Sequence, residues 1–386
     1  MKISISATNP CHLFPMAVEL ARLGAVGHYY SGYPRWKLGD TDGVPIRTHS
    51  WRTNIVYGLI KFLPERRRPS SRNLFVWQDH GFDRWVGAHL VPCDFVHAMP
   101  GQCLETFRAA RKLGVRTVLN HATGPVRDWV RIMEPEYQRV GLKLTDATPY
   151  DPAYFAREDE EYALADWHCA ASNVVRDQLL ARGIPAERVW VVPYGADRRI
   201  FHPDGRPAPG RFRIVFAGLL GLRKGLKTLL DALTLLDRDD WQIDFYGGVL
   251  GESNADLDRY LGRTPLKFHG PVSQAALADA FRASSVLVLP SLEEGFGLVV
   301  PQALSCGLPC IVSDRVGARD LIRKRDNGSV VAVQDPQDLA SKLLWWSQHP
   351  RRVPEVLDWA DCARQLESLS KAEVEESSKL SGNKRG

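Results

Sequence analysis

Two pairs of charged residues could act together on an anionic ligand. Arg223 and Lys224 sit in "FAGLLGLRKGLKTLL", where a strand-like run ends at Gly218 and Gly225 opens a helix-like one. Two cations beside a helix N-terminus suit a diphosphate, because unpaired backbone N–H groups and positive side chains then face the same negative oxygens. Glu293 and Glu294 sit in "SLEEGFGLVVPQALSCG", Ser291 to Gly307. The spacing predicts a strand, a Gly-Phe-Gly loop and a helix that starts near Leu298, with Pro301 tolerated in its first turn. The N–H groups of Gly297 and Leu298 then point into a cleft, and Gln302, four residues after Leu298, shares their face. A third junction, "WQIDFYGGVLGES", carries Gly247, Gly248 and Gly251 but is not G-x-G-x-x-G. No acid follows at the distance a dinucleotide ribose needs, which argues against a dehydrogenase.

Positioning these groups takes a particular frame. Short apolar runs alternate with amphipathic stretches along the chain, the pattern of an α/β protein with parallel sheets. In the first half the strand candidates are KISISAT, DFVHAM, RTVLNHA, WHCAAS and VWVVPYG; in the second they are RIVFAG, WQIDFYG, PLKFHG, SVLVLPS, PCIVSD and SVVAV. "QCLETFRAARKLG" reads as a helix closed by Gly114. A Gly-, Pro- and Arg-rich break follows Tyr194. The organisation expected is a doubly wound domain over 1–195, a linker over 196–210 and a second doubly wound domain over 211–352. A C-terminal helix over 353–370 packs back on the first domain, and a disordered tail occupies 371–386. Two such domains leave a cleft between the carboxyl ends of their strands.

Composition narrows the classes further. At 386 residues, 44% hydrophobic and 25% charged, the chain has room for two ordinary cores. No apolar run is long enough to span a bilayer, and the N-terminus reads as a buried strand and helix, not a signal peptide. The seven cysteines form no C-x-x-C pair and read as small buried residues of a reducing cytosol, not a zinc site. Charge is polarised. Residues 1–72 hold eleven Lys and Arg against four Asp and Glu, a surplus of seven where the whole chain has five. "WRTNIVYGLIKFLPERRR" mixes aromatics with a basic run, so the stretch Trp51 to Arg72 is either a solvated surface helix and loop or an element docking on anionic lipid at the cytoplasmic face. No stacking platform accompanies these charges, which disfavours nucleic acid.

The motifs of the second half resemble the glycosyltransferases of family 4, which have the GT-B fold. "FAGLLGLRKGLKTLLDAL" resembles the family's diphosphate loop, and "LKFHGPVSQAALADAFRASSVLVLPSLEEGFGLVVPQALSCGLPCIVSD" its donor-binding core. The likeness runs over roughly residues 90 to 370. It implies a retaining transfer of a sugar from a nucleotide-diphosphate sugar (UDP- or GDP-linked) to a glycan or lipid-linked acceptor. No metal and no cofactor beyond that co-substrate is implied. The donor site it implies is Gly218, Arg223, Lys224, Glu294, Gly295, Phe296, Gly297, Leu298 and Gln302. Glu294, Lys224 and His121 are the catalytic group. Glu294 would contact donor hydroxyls, and His121 would face the donor sugar from the first domain. Three positions depart from the family pattern. Gln302 stands where a second Glu holds the ribose, Leu219 where an Arg precedes the diphosphate Lys, and SATNPCHLF where many relatives have a glycine-rich loop. An amide can still accept from one ribose hydroxyl and donate to the other. The two departures Leu219 and Gln302 keep open a non-catalytic sugar-nucleotide-binding or scaffold protein on a GT-B frame. A GT-B epimerase or phosphorylase is a third possibility. His12 and His97 read as core or capping residues.

Overall fold

In the computed structural model, residues 1–39, 41–63, 71–144, 150–204, 210–260, 266–350, 353 and 358–382 are described. Two parallel sheets organise them. The first holds β1 (Ile3–Ala7), β2 (Val26–Ser31), β3 (Ile46–Thr48), β4 (Phe95–Ala98), β5 (Arg116–His121), β6 (Trp167–Ala170) and β7 (Val189–Val191), in the order β3-β2-β1-β4-β5-β6-β7. The second holds β8 (Arg213–Ala217), β9 (Gln242–Tyr246), β10 (Leu266–Gly270), β11 (Val286–Leu289), β12 (Cys310–Ser313) and β13 (Gly328–Val331), in the order β10-β9-β8-β11-β12-β13. Every residue of β1, β11 and β12 is buried, as expected of central strands covered by helices on both faces. Phe216, Phe245, Trp241 and Trp346 fill one side of the second sheet. In both sheets strand order reverses at one point, between β1 and β4 and between β8 and β11. Loops leave in opposite directions there and open a crevice beyond the strand ends. The loops carrying Arg223–Lys224 and Glu293–Glu294 follow β8 and β11, so this topology brings the two charged pairs together.

Three areas of contact between the domains stand out among the described residues. On the first, Tyr194 packs against Phe296 (5.1 Å between ring centroids) and Trp359 (5.8 Å). On the second, Ser172 Oγ donates to the Gly295 carbonyl at 2.7 Å, and Asn173 donates to Asp320 from its backbone N (3.1 Å) and Nδ2 (3.0 Å). On the third, helix Val126–Arg139 reaches the second domain. Arg139 grips buried Asp256 through two bonds of 3.0 and 2.9 Å, and the Tyr137 hydroxyl donates to Glu252.

Helix Trp359–Gly382 returns to the first domain. Trp359, Cys362, Ala363 and Leu366 join the same apolar cluster as Leu13 and Ala17, and Gln365 Nε2 donates to the Val191 carbonyl at 2.9 Å. It also runs through most of the tail expected to be disordered. The segment after Leu369 is polar but rich in helix formers, and Lys371 pairs with Glu367 one turn back at 2.9 Å. Residues 205–209 of the expected linker and 383–386 of the tail lie outside the described residues, as do Arg66, Arg67 and Arg68.

Candidate active site

The four charges form one cluster. After β8 the chain makes a 3-10 turn, Leu222–Lys224, and Gly225 enters helix Leu226–Leu236 with φ +69°. A Cβ at Gly225 would lie 1.9 Å from the Pro290 carbonyl oxygen, so only glycine lets this loop lie against the one after β11. Lys224 Nζ then donates to Glu294 Oε2, while Arg223 Nη1 reaches Glu293 Oε2 at 3.1 Å and Arg223 Nη2 lies 3.6 Å from Glu294. The Lys224 side chain passes over Gly218, 3.5 Å from where a Cβ there would stand. The second loop is fixed from behind. Glu294 N donates to the Arg315 carbonyl, Gly317 N to the Glu294 carbonyl, and the Ser313 hydroxyl to the Ser291 carbonyl.

The two carboxyls are shifted in opposite directions. Burial pushes the Glu294 carboxyl up, but Lys224 and Arg223 outweigh burial and hold it below the ordinary glutamate range. Burial wins at Glu293, which is raised despite Arg223. Arg223 is raised too, because Glu294 and Glu293 more than offset its own desolvation. Glu294 is therefore an anion at neutral pH and fixes a lysine beside the crevice. The site can receive a group that is negative at one end and hydroxylated at the other.

Of the remaining sequence-derived residues, Gly297 lies beside Glu294, where a Cβ would stand 3.3 Å from Glu294 Cγ. Helix Val299–Ser305 starts as expected, with Leu298 as its N-cap. Its first amides lack intrahelical partners, the general condition of a helix start. Gln302 opens instead on a cavity of about 640 Å³ between the domains, lined also by Cys11, His12, Phe14, Gln274 and Leu298. None of the four clustered charges lines that cavity. Gly295 does not face open space. A Cβ there would stand 2.2 Å from the Ala122 carbonyl oxygen, so Gly295 is where the first domain touches the loop. Phe296 is core, its ring against Tyr194.

His121 does not join the cluster. It is 1% exposed; Nε2 lies 2.9 Å from His168 Nδ1, and Nδ1 lies 3.4 Å from the Tyr162 hydroxyl. Burial and the neighbouring His168 and Arg182 keep its pKa well below the ordinary histidine value. Strand alternation turns this last residue of β5 into its own domain, and the backbone of Ala122 and Thr123 reaches Gly295 instead. His12 and His97 are buried and held near pKa 3 by desolvation. His12 stacks on Tyr194 at 4.3 Å, and His97 pairs with Asn120 at 3.0 Å.

Tyr150 and Tyr154 were not legible from local motifs. Tyr150 feels the charges of Arg223 and Glu293, and its ring lies 4.9 Å from that of Tyr154 and 5.4 Å from that of Trp129. Only the aromatic spacing around Asp151, which caps helix Pro152–Leu164 by accepting from Tyr154 N at 2.8 Å, could have hinted at them.

Comparison with known proteins places this geometry. Residues 211–349 match the family model described as Glycosyl transferases group 1. The chain is 32% identical over 224 residues to D-inositol 3-phosphate glycosyltransferase 1 of Catenulispora acidiphila, covering 52% of this chain and 54% of that protein. It is 33% identical over 226 residues to the D-inositol 3-phosphate glycosyltransferase of Streptomyces bingchenggensis, covering 53% of this chain and 50% of that protein. The match thus spans about half the length of these curated relatives. Among solved structures, sucrose-phosphate synthase from Thermosynechococcus elongatus superposes with TM-score 0.66 at 18% identity, covering 97% of this chain and all of that one. Anabaena HepE in complex with UDP and glucose gives TM-score 0.66 at 15% identity, covering 96% of this chain and 99% of that one. In sequence the second domain is similar to the group 1 glycosyl transferases, and in fold the two domains together have the GT-B architecture.

Proposed function

We propose that the chain transfers a hexosyl group, with retention, from a UDP- or GDP-sugar to a glycan or lipid-linked acceptor, using no bound metal. The observation that carries this reading is the Arg223–Lys224–Glu293–Glu294 cluster at the β8/β11 switch point. Breaking a glycosidic bond to a diphosphate leaves negative charge on the phosphate and an electron-poor sugar carbon. Lys224 and Arg223 are placed to take up the first. Preorganised donors of this kind contribute roughly 3–4 kcal/mol each. Glu294, kept ionised, accepts from sugar hydroxyls while holding Lys224 in place. With retention and no enzyme nucleophile, the departing phosphate oxygen takes the acceptor proton on the same face. Gln302 and Gln274, beside the interdomain cavity, supply amides for the nucleoside end. The test is a thermal-shift screen with UDP-, GDP- and ADP-sugars, followed by product analysis of the hit. No shift with any of them, or binding without turnover in the presence of an acceptor panel, would favour the scaffold reading.

One surface supports work at a membrane. Trp36 (78% exposed), Phe62 (77%), Trp51 and Ile55 are exposed on the first domain. Arg52 lies 4.3 Å from the Trp77 ring and 5.0 Å from Trp51, so cations and exposed aromatics share one face. That combination suits an anionic headgroup layer. No described helix is long and apolar enough to cross a membrane. Sedimentation with anionic against neutral vesicles, for the chain and for Trp36→Ser/Phe62→Ser, separates the two cases. Equal binding by chain and variant would remove this surface from consideration.

A further inference from the structure

A leucine stands directly before each charged pair, Leu222 before Arg223–Lys224 and Leu292 before Glu293–Glu294. Both leucines are buried, and both pack in one apolar cluster with Met133, Tyr137 and Leu144 of the first domain. Met133 and Tyr137 lie on helix Val126–Arg139. The first domain therefore touches each charged loop at the residue next to its charges. A shift of this helix is felt by both halves of the cluster, because close-packed side chains transmit displacement.

Within this apolar seat one carboxylate joins three segments. Glu252, in the loop after β9, accepts from Leu222 N at 3.1 Å through Oε1 and from the Tyr137 hydroxyl through Oε2. Leu222 opens the 3-10 turn Leu222–Lys224, and Gly221 before it has no side chain to cap the turn. The first N–H of such a turn has no acceptor inside it, so Glu252 caps it from another loop. Burial first, and then Glu252, raise the Tyr137 pKa, so the hydroxyl stays protonated at neutral pH and donates. The turn is tied to its own domain as well. Leu250 N donates to the Leu220 carbonyl at 3.0 Å, and Leu292 N donates to the Arg223 carbonyl at 2.8 Å. Of these polar ties, the one through Glu252 reaches the first domain.

We propose that Glu252 is a positioning residue for the transfer: it carries the contact made by Tyr137 of the first domain to the turn that holds Arg223 and Lys224. This rests on the transferase reading and adds to it a residue that acts through the backbone of Leu222. The departing diphosphate is stabilised only by cations already in place, so the order of the turn enters the affinity for the nucleotide directly. What the position requires is geometry. A glutamine at 252 could accept from Leu222 N with its carbonyl and donate to the Tyr137 oxygen with its NH2, whereas an alanine could do neither.

The test combines hydrogen exchange with nucleotide binding. Exchange of the full chain, read by mass spectrometry, compares residues 219–225 with strand β8 in the unaltered chain, Tyr137→Phe, Glu252→Ala and Glu252→Gln. UDP and GDP are then titrated into each by calorimetry. Tyr137→Phe and Glu252→Ala are expected to speed exchange in residues 219–225 about tenfold, with β8 within about twofold, and to weaken the nucleotide about tenfold. Glu252→Gln is expected to rescue both readouts to within about threefold of the unaltered chain. Equal acceleration in residues 219–225 and in β8 would mean a general loss of stability and would overturn the proposal. So would a faster turn with unchanged nucleotide affinity, or a Glu252→Gln that behaves like Glu252→Ala. Tyr137→Phe is near-isosteric and lies on the first domain, so it decides the matter if Glu252→Ala does not fold. If the unaltered chain binds neither UDP nor GDP, the transferase reading falls, and the exchange comparison alone decides whether Glu252 orders the turn.

Discussion

Removing Lys224 isolates the cluster's energetics from its chemistry. Glu294 is 9% exposed and Lys224 Nζ is its nearest cation; Arg223 Nη2, at 3.6 Å, is a weaker second. In Lys224→Met the carboxylate keeps its burial but loses its main counter-charge, so its pKa rises from below the ordinary glutamate value to above it. Breaking a buried ion pair from one side costs about 3–5 kcal/mol. Arg223 takes back part of this, which leaves about 2–3 kcal/mol at pH 8. At pH 5 the orphaned carboxyl picks up a proton, so the deficit shrinks. The sign follows from linkage: a carboxyl whose folded-state pKa is raised loses stability as pH climbs through the window between its unfolded and folded values. Glu294→Gln in the Lys224→Met background removes the charge altogether and should recover about 1–2 kcal/mol. Urea unfolding of the unaltered chain, Lys224→Met, Glu294→Gln and the double variant at pH 5 and pH 8 measures this cycle. A Lys224→Met deficit under about 0.5 kcal/mol, or one that grows on acidification, would show that Lys224 does not neutralise Glu294.

Three further outcomes follow from particular contacts. Gly225→Ala must accept φ +69° and a Cβ 1.9 Å from Pro290 O, so it should lose about 2–4 kcal/mol by urea unfolding, with Leu226→Ile as a control for helix propensity. Gln302→Glu should leave turnover intact or tighten donor binding by up to about 1 kcal/mol in calorimetric titrations, since a carboxylate accepts from ribose hydroxyls more strongly than an amide. Asp79 is raised from 3.8 to about 7, by burial first and Asp83 last, against Thr8, Arg157 and Gln78. Its unfolded form ionises earlier, so the native chain loses stability between about pH 4 and 7. Asp79→Asn escapes that loss and should be more stable than the unaltered chain by about 2–4 kcal/mol at pH 8 but not at pH 4, read from melting curves.

Much of the frame was legible because buried parallel strands are continuous apolar runs. Five of the six strands of the second sheet lie within the expected segments, as Arg213–Ala217 does in RIVFAG, and Gly328–Val331 starts one residue before SVVAV. In the first sheet Val26–Ser31 and Ile46–Thr48 escaped notice. The first contains Gly27 and His28, and the second is a three-residue edge strand with two exposed residues, so neither makes an apolar run. The charge cluster was legible because each half sits in one short stretch between a strand and a helix. His121 was misplaced for a geometric reason: spacing along a strand tells which residue is last, not which side of the sheet it faces. Tyr150 and Tyr154 were missed because they lie on a loop and the helix it enters, outside any strand-to-helix motif. Ser172 was missed as well: it looks like an ordinary helix N-cap, accepting from Val175 N at 3.2 Å, and its donation to Gly295 is visible only in three dimensions.

The most direct test of the transferase assignment is nucleotide release from a panel of UDP- and GDP-sugars, with an acceptor panel present, by the full chain and by Glu294→Ala. The transferase proposal predicts release and sugar transfer from at least one donor, and a loss of about a hundredfold or more in Glu294→Ala. Normal transfer and donor hydrolysis by Glu294→Ala would contradict it.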